Sequence, residues 1–533
     1  MSSPDQFSRR DFLQTSALAS AGLWALTTGE QTASAKLQND VIDIGARREL
    51  FVDQFLIEDL VGKTRLQLHH PVPQEVVLKH DAPWEGTGSG YHSVFQDGDR
   101  YRMYYKAWHL EVSEKKLNTG RHPLFLCYAE SQDGITWEKP NLGLHEYEGS
   151  KQNNIMVTSG PVGTLNVDAG HPAIFKDENP NAPAEARYKA IFRSQKPNGL
   201  LPFQSPDGVH WTPMSDKPTL SGLGAFDSQN LAFWDPTIGK YRAYWRIFTA
   251  GVTNDKEWKP AGIRAIRTAV SDDLVNWGPH TDLTYVDSPP QQLYTNQIKP
   301  YHRAPHLLVG FPTRYIERGW TESMQSLPAL EQRKMRAAAS ERYGTAITDA
   351  LFMSSRDGTE FHRWNEAFLR PGPERPETWH YGHQYVAWHL VETKSAMTGA
   401  ADELSLYATE SYWHGKGSEV RRYTLRLDGF VSVNGSANEG NELLTKPMTF
   451  EGAKLSFNFA TSAAGSLKVE LQKPDGSPYD GFALSESDLM FGDTVDRTIT
   501  WGGQSDVSRL QGKPIRLRVV LNDADLYSFQ FTA

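Results

Sequence analysis

Short runs in which apolar and polar side chains alternate recur along most of this chain, and polar turns separate them. Tyr241-Arg-Ala-Tyr-Trp-Arg246 shows the period of two that places alternate side chains on opposite faces of a β-strand. The same unit, apolar run, polar turn and second run, appears at Phe95-Gln-Asp97-Gly98 through Tyr104-Tyr105, at Phe175-Lys-Asp177 through Phe192-Arg193, and at Phe233-Trp-Asp235 through Trp245-Arg246. Tyr301 to Phe311 is a diverged fourth copy. Each predicts a hairpin.

Near these hairpins stands a second template, S-x-D-(G)-x-x-aromatic. It reads Ser131 to Trp137, Ser205 to Trp211, Ser271 to Trp277 and Ser355 to Phe361. In such a turn the Asp accepts backbone N–H bonds, Gly supplies positive φ and the aromatic packs back on the sheet. Asp133, Asp207, Asp273 and Asp357 are therefore structural and not catalytic. Their spacing fits four-stranded blades with generous loops, and the chain is predicted to be all-β: a five-bladed β-propeller followed by a C-terminal β-sandwich. Trp379 to Thr393 and Glu403 to Trp413 supply a fifth unit without the full Asp turn.

The propeller is assigned to 50–435. Glu49 to Val77 alternates (Phe51, Phe55, Ile57) and is expected to pair with the last blade, closing the ring and removing free sheet edges. Thr321 to Arg342 breaks the β pattern and predicts a helical insertion, as a roof over the channel or an outer decoration. Beyond the linker Asn434 to Gly440, alternating stretches such as Leu455-Ser-Phe-Asn-Phe459, separated by turns, predict the sandwich over 440–533.

Composition narrows the function. With 533 residues, 39% hydrophobic and 22% charged, the chain is neither disordered nor a coiled coil. The single cysteine, Cys127, excludes an internal disulfide, and no structural zinc spacing exists. A net charge of −9 without a Lys/Arg block argues against a nucleic-acid partner. No stretch approaches the length of a membrane span. Residues 1–35 carry Ser8-Arg9-Arg10-Asp11-Phe12-Leu13, a weakly apolar stretch and Ala33-Ser34-Ala35, the pattern of a twin-arginine signal cleaved after Ala35. A periplasmic or secreted protein, exported folded, is expected. The oligomeric state is not legible.

In a propeller the loops at the start of the inner strands converge on one funnel. Acids there that lie outside the hairpins and Asp turns are Asp168, in Asn166-Val-Asp-Ala-Gly-His171, and Asp227, in Phe226-Asp-Ser-Gln-Asn230, with Glu85 as a third candidate. Glycoside hydrolysis needs two carboxylates, one protonated and one ionised, and crowding in a dry channel drives their pKa values apart. These three are the expected catalytic residues. His92, His171, Asn230, Tyr381 and His383 are expected to bind sugar hydroxyls or faces. Arg314 is expected either to clamp an anionic group on the sugar or to pair with Glu317 on the surface. Neither a metal nor a cofactor is expected.

The five-blade repeat, the C-terminal sandwich and the export signal resemble the five-bladed propeller clan of glycoside hydrolases, which includes invertases, levanases and arabinanases. Phe226-Asp-Ser-Gln-Asn230 and Arg421-Arg-Tyr-Thr-Leu-Arg-Leu-Asp-Gly-Phe430 resemble in particular exported proteins of planctomycete-type bacteria. The clan places Asp, Asp and Glu at the starts of blades one, two and three. Here Asp168 matches the second position, Asp227 stands at the third, and Tyr91-His92-Ser93 replaces the first. The resemblance implies an exported hydrolase acting on a poly- or oligosaccharide. The alternative is a noncatalytic carbohydrate-binding propeller that has lost the first acid. Sialidases share the S-x-D-G-x-x-W turns, but their six blades and arginine triad are not found in this chain.

Overall fold

The computed structural model of the protein describes residues 41–533 apart from 114, 115, 223 and 255. The signal segment 1–35 lies outside the described residues. Five antiparallel units follow one another around a ring. From the inside outward, blade one is Gly90–Asp97, Arg100–Ala107, Phe125–Ser131 and Trp137–Glu138. Blade two is Leu165–Lys176, Tyr188–Gln195, Asn198–Ser205 and Thr212–Pro213. Blade three is Leu231–Asp235, Lys240–Thr253, Trp258–Ser271 and Thr281–Asp282. Blade four is Lys299–Tyr301, Ala304–Gly310, Met353–Ser355 and Glu360–Arg363. Blade five is Val391–Thr393, Glu403–Glu410 and Glu419–Arg426, and its outer strand, Val72–Lys79, arrives from before blade one. That strand closes the ring by pairing with Glu419–Arg426, the last strand of the chain's own fifth blade.

The S-x-D turns act as the sequence predicts. Asp133 Oδ1 accepts the N–H groups of Ile135 and Thr136 at 2.7 Å each, and Asp207, Asp273 and Asp357 repeat the bond pair. The turns also join neighbouring blades. Tyr407 of blade five donates to Gly134 O of blade one, Arg102 of blade one to Asp207 O of blade two at 2.8 Å, and Tyr244 of blade three to Gly358 O of blade four at 2.8 Å. Gly358 has φ 81°, and a Cβ there would stand 2.5 Å from the guanidinium carbon of Arg242. A side chain there would strain the backbone and push the Arg242 guanidinium aside.

One boundary differs from the sequence expectation. Residues 49–68, assigned with the propeller, belong to the C-terminal sheet: Glu49–Leu50 pairs with Arg516–Thr532, Ile57–Val61 with Glu442–Thr445, and Arg65–Leu68 with Val431–Gly435. Residues 52–56 form bends rather than a strand; Phe51, Leu56 and Ile57 join the C-terminal core with Ile44, Phe457, Val469, Leu517 and Phe529, while Phe55 is exposed. Alternation is silent about which sheet a segment enters. Where the sequence predicts a sandwich, the C-terminal strands form one eight-stranded sheet, in which Lys454–Gln472 pairs with Arg516–Thr532 on both sides of a register break between Thr461 and Ser466.

Arg421 to Phe430 is the junction of the two domains. Arg421 pairs with Glu410, Arg422 with Glu75 and Glu403, and Arg426 with Asn458 and Asp493 of the sandwich. Asp428, fully buried, accepts from Tyr301 OH at 2.7 Å, Arg303 Nε at 2.8 Å, Ser528 Oγ at 2.7 Å and Arg48 Nη1 at 3.3 Å. One carboxylate thus ties blade four, the N-terminal segment and the sandwich together. Cys127 is buried in the third strand of blade one.

The break at Thr321 is a set of three helices, α1 (Glu322–Ser326), α2 (Leu330–Ala339) and α3 (Glu341–Thr345). They connect a hairpin, Thr313–Glu317 with Ala346–Ala350, that extends blade four. Arg333 of α2 donates to Thr378 O and Trp379 O, and Arg336 to Tyr412 O and Trp413 O. These bonds spend two buried guanidinium groups on loop carbonyls of blade five, so the insertion lies over the mouth of the ring.

Candidate functional site

The ring is stapled beneath its funnel by two amides. Gln229 Nε2, from blade three, donates to Tyr91 O of blade one at 3.1 Å and to Pro172 O of blade two at 2.9 Å. Gln297 Nε2, from blade four, donates to Gln229 Oε1 and to Val386 O of blade five, both at 2.8 Å. Every blade is held, and the staple forms a floor. A cavity of about 370 Å³ lies on the far side, lined by Phe95, Gln297, Tyr301 and His389 among others.

Above the floor the walls are rings. Tyr91 and Tyr385 stack at 6.0 Å and 6°, Tyr385 stacks on Tyr294 at 5.5 Å, and Tyr381 meets Tyr294, Tyr412 and Trp413 at 5.9, 6.4 and 5.4 Å. Tyr381 OH donates to Tyr294 OH at 2.9 Å. Tyr91 has φ 52° and Trp413 φ 59°, left-handed conformations costly for aromatic residues, which the surrounding packing holds.

Cations stand among the rings. Lys106 Nζ lies 4.4 Å from the centre of Tyr91 and 5.1 Å from that of Trp108, and burial pushes its pKa down to about 7 against the pull of Asp168. Arg246 lies over Tyr294 at 4.8 Å, Arg264 over Tyr315 at 4.4 Å and Arg342 over Tyr381 at 5.9 Å. Lys106, Arg193 and Arg246 fall at one position of the repeat, five residues after Tyr101, Tyr188 and Tyr241 on the second strands of blades one to three. That regularity was available in the sequence and is the signal by which these residues could have been found.

Two of the expected acids meet here. Asp168 is buried; its Oδ2 is 2.9 Å from His171 Nδ1 and 3.6 Å from Arg193, and Oδ1 accepts from Gly170 N at 2.8 Å. Burial raises its pKa, but the charges of His171 and Arg193 and the hydrogen bonds outweigh it and hold the carboxyl well below the usual range. Asp227 is paired with Arg246 and keeps 38% of its side chain exposed. Burial again acts upward, and Arg246, Arg193 and His171 outweigh it, so this carboxyl too lies below its ordinary value. The two acids therefore share His171 and Arg193 as neighbours. His171 also packs on Tyr91 at 5.7 Å.

Five expected residues are elsewhere. Glu85 is buried between blades one and five, accepting from Tyr105 OH at 2.5 Å, Lys139 Nζ at 2.7 Å and Ala82 N at 3.0 Å; burial raises its pKa against the Lys139 charge. His92 lies beside it, its Nε2 3.1 Å from His80 Nε2. Asn230 spends its amide on Phe226 O and Ser228 O at 3.0 and 2.6 Å, bracing the loop that carries Asp227. Arg314 grips Asp349 and Asn365 O on the outer side of the blade-four hairpin, so its carboxylate partner is Asp349 and not Glu317. His383 accepts from Trp379 N at 3.2 Å and supports the blade-five loop. Tyr381 and His171 stand in the ring cluster, against Tyr294 and Tyr91 respectively.

Among the described residues no group of three or more His, Cys, Asp or Glu side chains could hold a metal ion, and no helix is long and apolar enough to cross a membrane.

No family model matches the chain, and no curated protein matches it. Similar solved structures include a glycoside hydrolase family 43 arabinoxylan arabinofuranohydrolase from Bacillus subtilis in complex with cellotetraose, at 12% identity, with 85% of this chain and 96% of that chain covered and a TM-score of 0.39. An N-acetylgalactosamine deacetylase from F. plautii, in complex with blood group B trisaccharide, is similar at 12% identity over 68% of this chain and 96% of that chain, with a TM-score of 0.40. A protein described with the GH130 mannoside phosphorylases and hydrolases that target β-1,2 mannosidic linkages in Candida mannan is similar at 15% identity over 66% and 94%, with a TM-score of 0.36. At these scores the likenesses carry no chemistry to this chain, whose site stands on its own geometry.

Proposed function

We propose that the protein is a glycoside hydrolase acting on a poly- or oligosaccharide in the funnel. The observation that carries this is the half-exposed Asp227 among stacked rings, with the buried Asp168 behind it holding His171. Ring faces suit sugar faces, and a carboxylate in front of them suits the anomeric carbon. Asp227, ionised because Arg246 holds its charge, acts as nucleophile or as base on a water molecule. His171, fixed through Nδ1 by Asp168, carries the proton to the leaving oxygen on Nε2, which has no protein partner among the described residues. Asp168 then positions His171, and Glu85 takes no part.

Reducing ends released from a polysaccharide panel by the mature protein provide the test. Asp227→Asn should lose turnover by about 10²–10⁴-fold with the fold intact; unchanged turnover overturns the reading. The Arg246 clamp on Asp227 favours a second reading, binding without cleavage, which predicts sugar affinity and no new reducing ends. We also place the protein outside the cytoplasm on the strength of Arg9-Arg10. Replacing both by Lys should leave it in the cytoplasmic fraction, and unchanged export contradicts that placement.

A further inference from the structure

The ring cluster holds more positive than negative charge. Lys106, Arg193, Arg246, Arg264 and Arg342 meet it, whereas the acids there are Asp168, Asp227 and Glu317, the last accepting from Tyr315 OH at 2.9 Å. Arg193 and Arg246 find the carboxylates of Asp168 and Asp227. The other three have no carboxylate partner among the described residues. Lys106 is buried against Tyr91, Trp108 and Tyr412. Arg264 bonds the neutral amide of Gln292 and lies over Tyr315 and Tyr294. Arg342 meets the hydroxyls of Tyr343, at 3.4 Å, and Tyr315, and the rings of Tyr343 and Tyr381.

Removing a cation from water is costly, and ring faces return part of that cost. Elsewhere carboxylates meet the cost at Arg314 with Asp349, Arg356 with Glu49 and Asp53, and Arg422 with Glu75 and Glu403, and loop carbonyls meet part of it at Arg333 and Arg336. In the cluster several buried polar atoms of cations and rings stand idle together. Arg246 Nε, Arg264 Nε, Arg342 Nη1 and the Tyr385 hydroxyl have no hydrogen-bond partner. Guanidinium forks with unspent N–H groups, beside a free hydroxyl and stacked rings, are suited to a small planar or tetrahedral anion carried on a sugar.

We propose that the cluster binds the anionic group of an acidic sugar, a uronate carboxylate or a sulfate ester, and so selects acidic over neutral oligosaccharides. This rests on the funnel being the carbohydrate site.

The test is calorimetric binding to the mature protein of two matched pairs: trigalacturonate with its methyl ester, and a sulfated galactose trisaccharide with its unsulfated parent. At least one acid should bind ten-fold or more tightly than its neutral partner, with the preference shrinking as salt rises. Which pair shows it distinguishes carboxylate from sulfate. Arg264→Gln and Arg342→Gln should each reduce the preference several-fold, while Arg264→Lys retains most of it and Arg314→Gln all of it. If both acids bind no better than their neutral partners, or if the Gln variants keep the full preference while folded, the proposal falls. Should a Gln variant fail to fold, the wild-type pair comparison decides. Acid preference without release of reducing ends supports this proposal and removes only the hydrolytic reading.

Discussion

Asp168 and Asp227 face the same His171 and Arg193, yet one is sealed and the other open, and this asymmetry gives them different tasks. Both carboxyls are held below their ordinary range. A depressed carboxyl stays ionised as the pH falls, so kcat/KM should hold down to about pH 4 and decline only below it. The stability that Asp168 contributes has the same sign: present above about pH 4, and lost as the pH falls toward its folded value. Lys106 runs the other way. Its folded pKa of about 7 lies below the ordinary lysine value, so the folded chain should gain stability as the pH climbs from about 7 toward 10. Lys106→Met should remove that rise and stabilise the protein at pH 6 by about 2–4 kcal/mol, read as Tm at pH 6 and pH 9; an unchanged difference between the two contradicts the burial assigned to Lys106. At this scale the sequence was half legible. Phe226-Asp-Ser-Gln-Asn230 marked a site, but only the fold divides it into Asp227, proposed to react, the staple Gln229 and the brace Asn230. Glu85 could not be excluded from sequence, because the groups that occupy it, Tyr105 and Lys139, lie 20 and 54 residues away.

Blades were the most legible elements, since each carries its turn chemistry locally. The four Asp turns bond the backbone as their residue types dictate, and Leu274 shows that the frame imposes the left-handed turn even where Gly is missing, at φ 67°. The links from one blade to the turn of the next were not legible, because nothing in Tyr407 names Gly134 as its partner. Tyr407→Phe should cost about 1 kcal/mol by thermal unfolding; no loss would show that the bond is not formed in solution. The helical insertion was recognised as a break, and its position over the mouth follows from Arg333 and Arg336 reaching the carbonyls of blade five. Glu317 and Ala346 are directly paired, so a two-residue Asn-Gly turn can replace 318–345. That variant should fold, raise the exposure of Trp413 in quenching experiments and lose affinity for sugar. Unchanged quenching contradicts the roof.

The N-terminal described segment enters the sandwich first, crosses to close the propeller at Val72–Lys79, and the chain returns to the sandwich after blade five, so neither domain is contiguous in sequence. Sequence reading placed 49–68 with the propeller because alternation carries no information about a partner strand more than 360 residues away. Asp428 sits where these paths meet, and Asp428→Ala, which strands Arg48 and leaves Arg303 only Glu392, should destabilise the whole molecule by roughly 3–5 kcal/mol in a single calorimetric transition; two separate transitions would contradict the coupling. The same interlocking holds the five inner strands against the Gln229 and Gln297 staple, and so fixes the funnel on which the functional account depends. The most direct measurement is the rate of reducing-end release from the polysaccharide panel by wild type, Asp227→Asn and Glu85→Gln. The account predicts activity in wild type, near-complete loss in Asp227→Asn, and wild-type turnover per folded molecule in Glu85→Gln; activity that survives in Asp227→Asn and disappears in Glu85→Gln would contradict it.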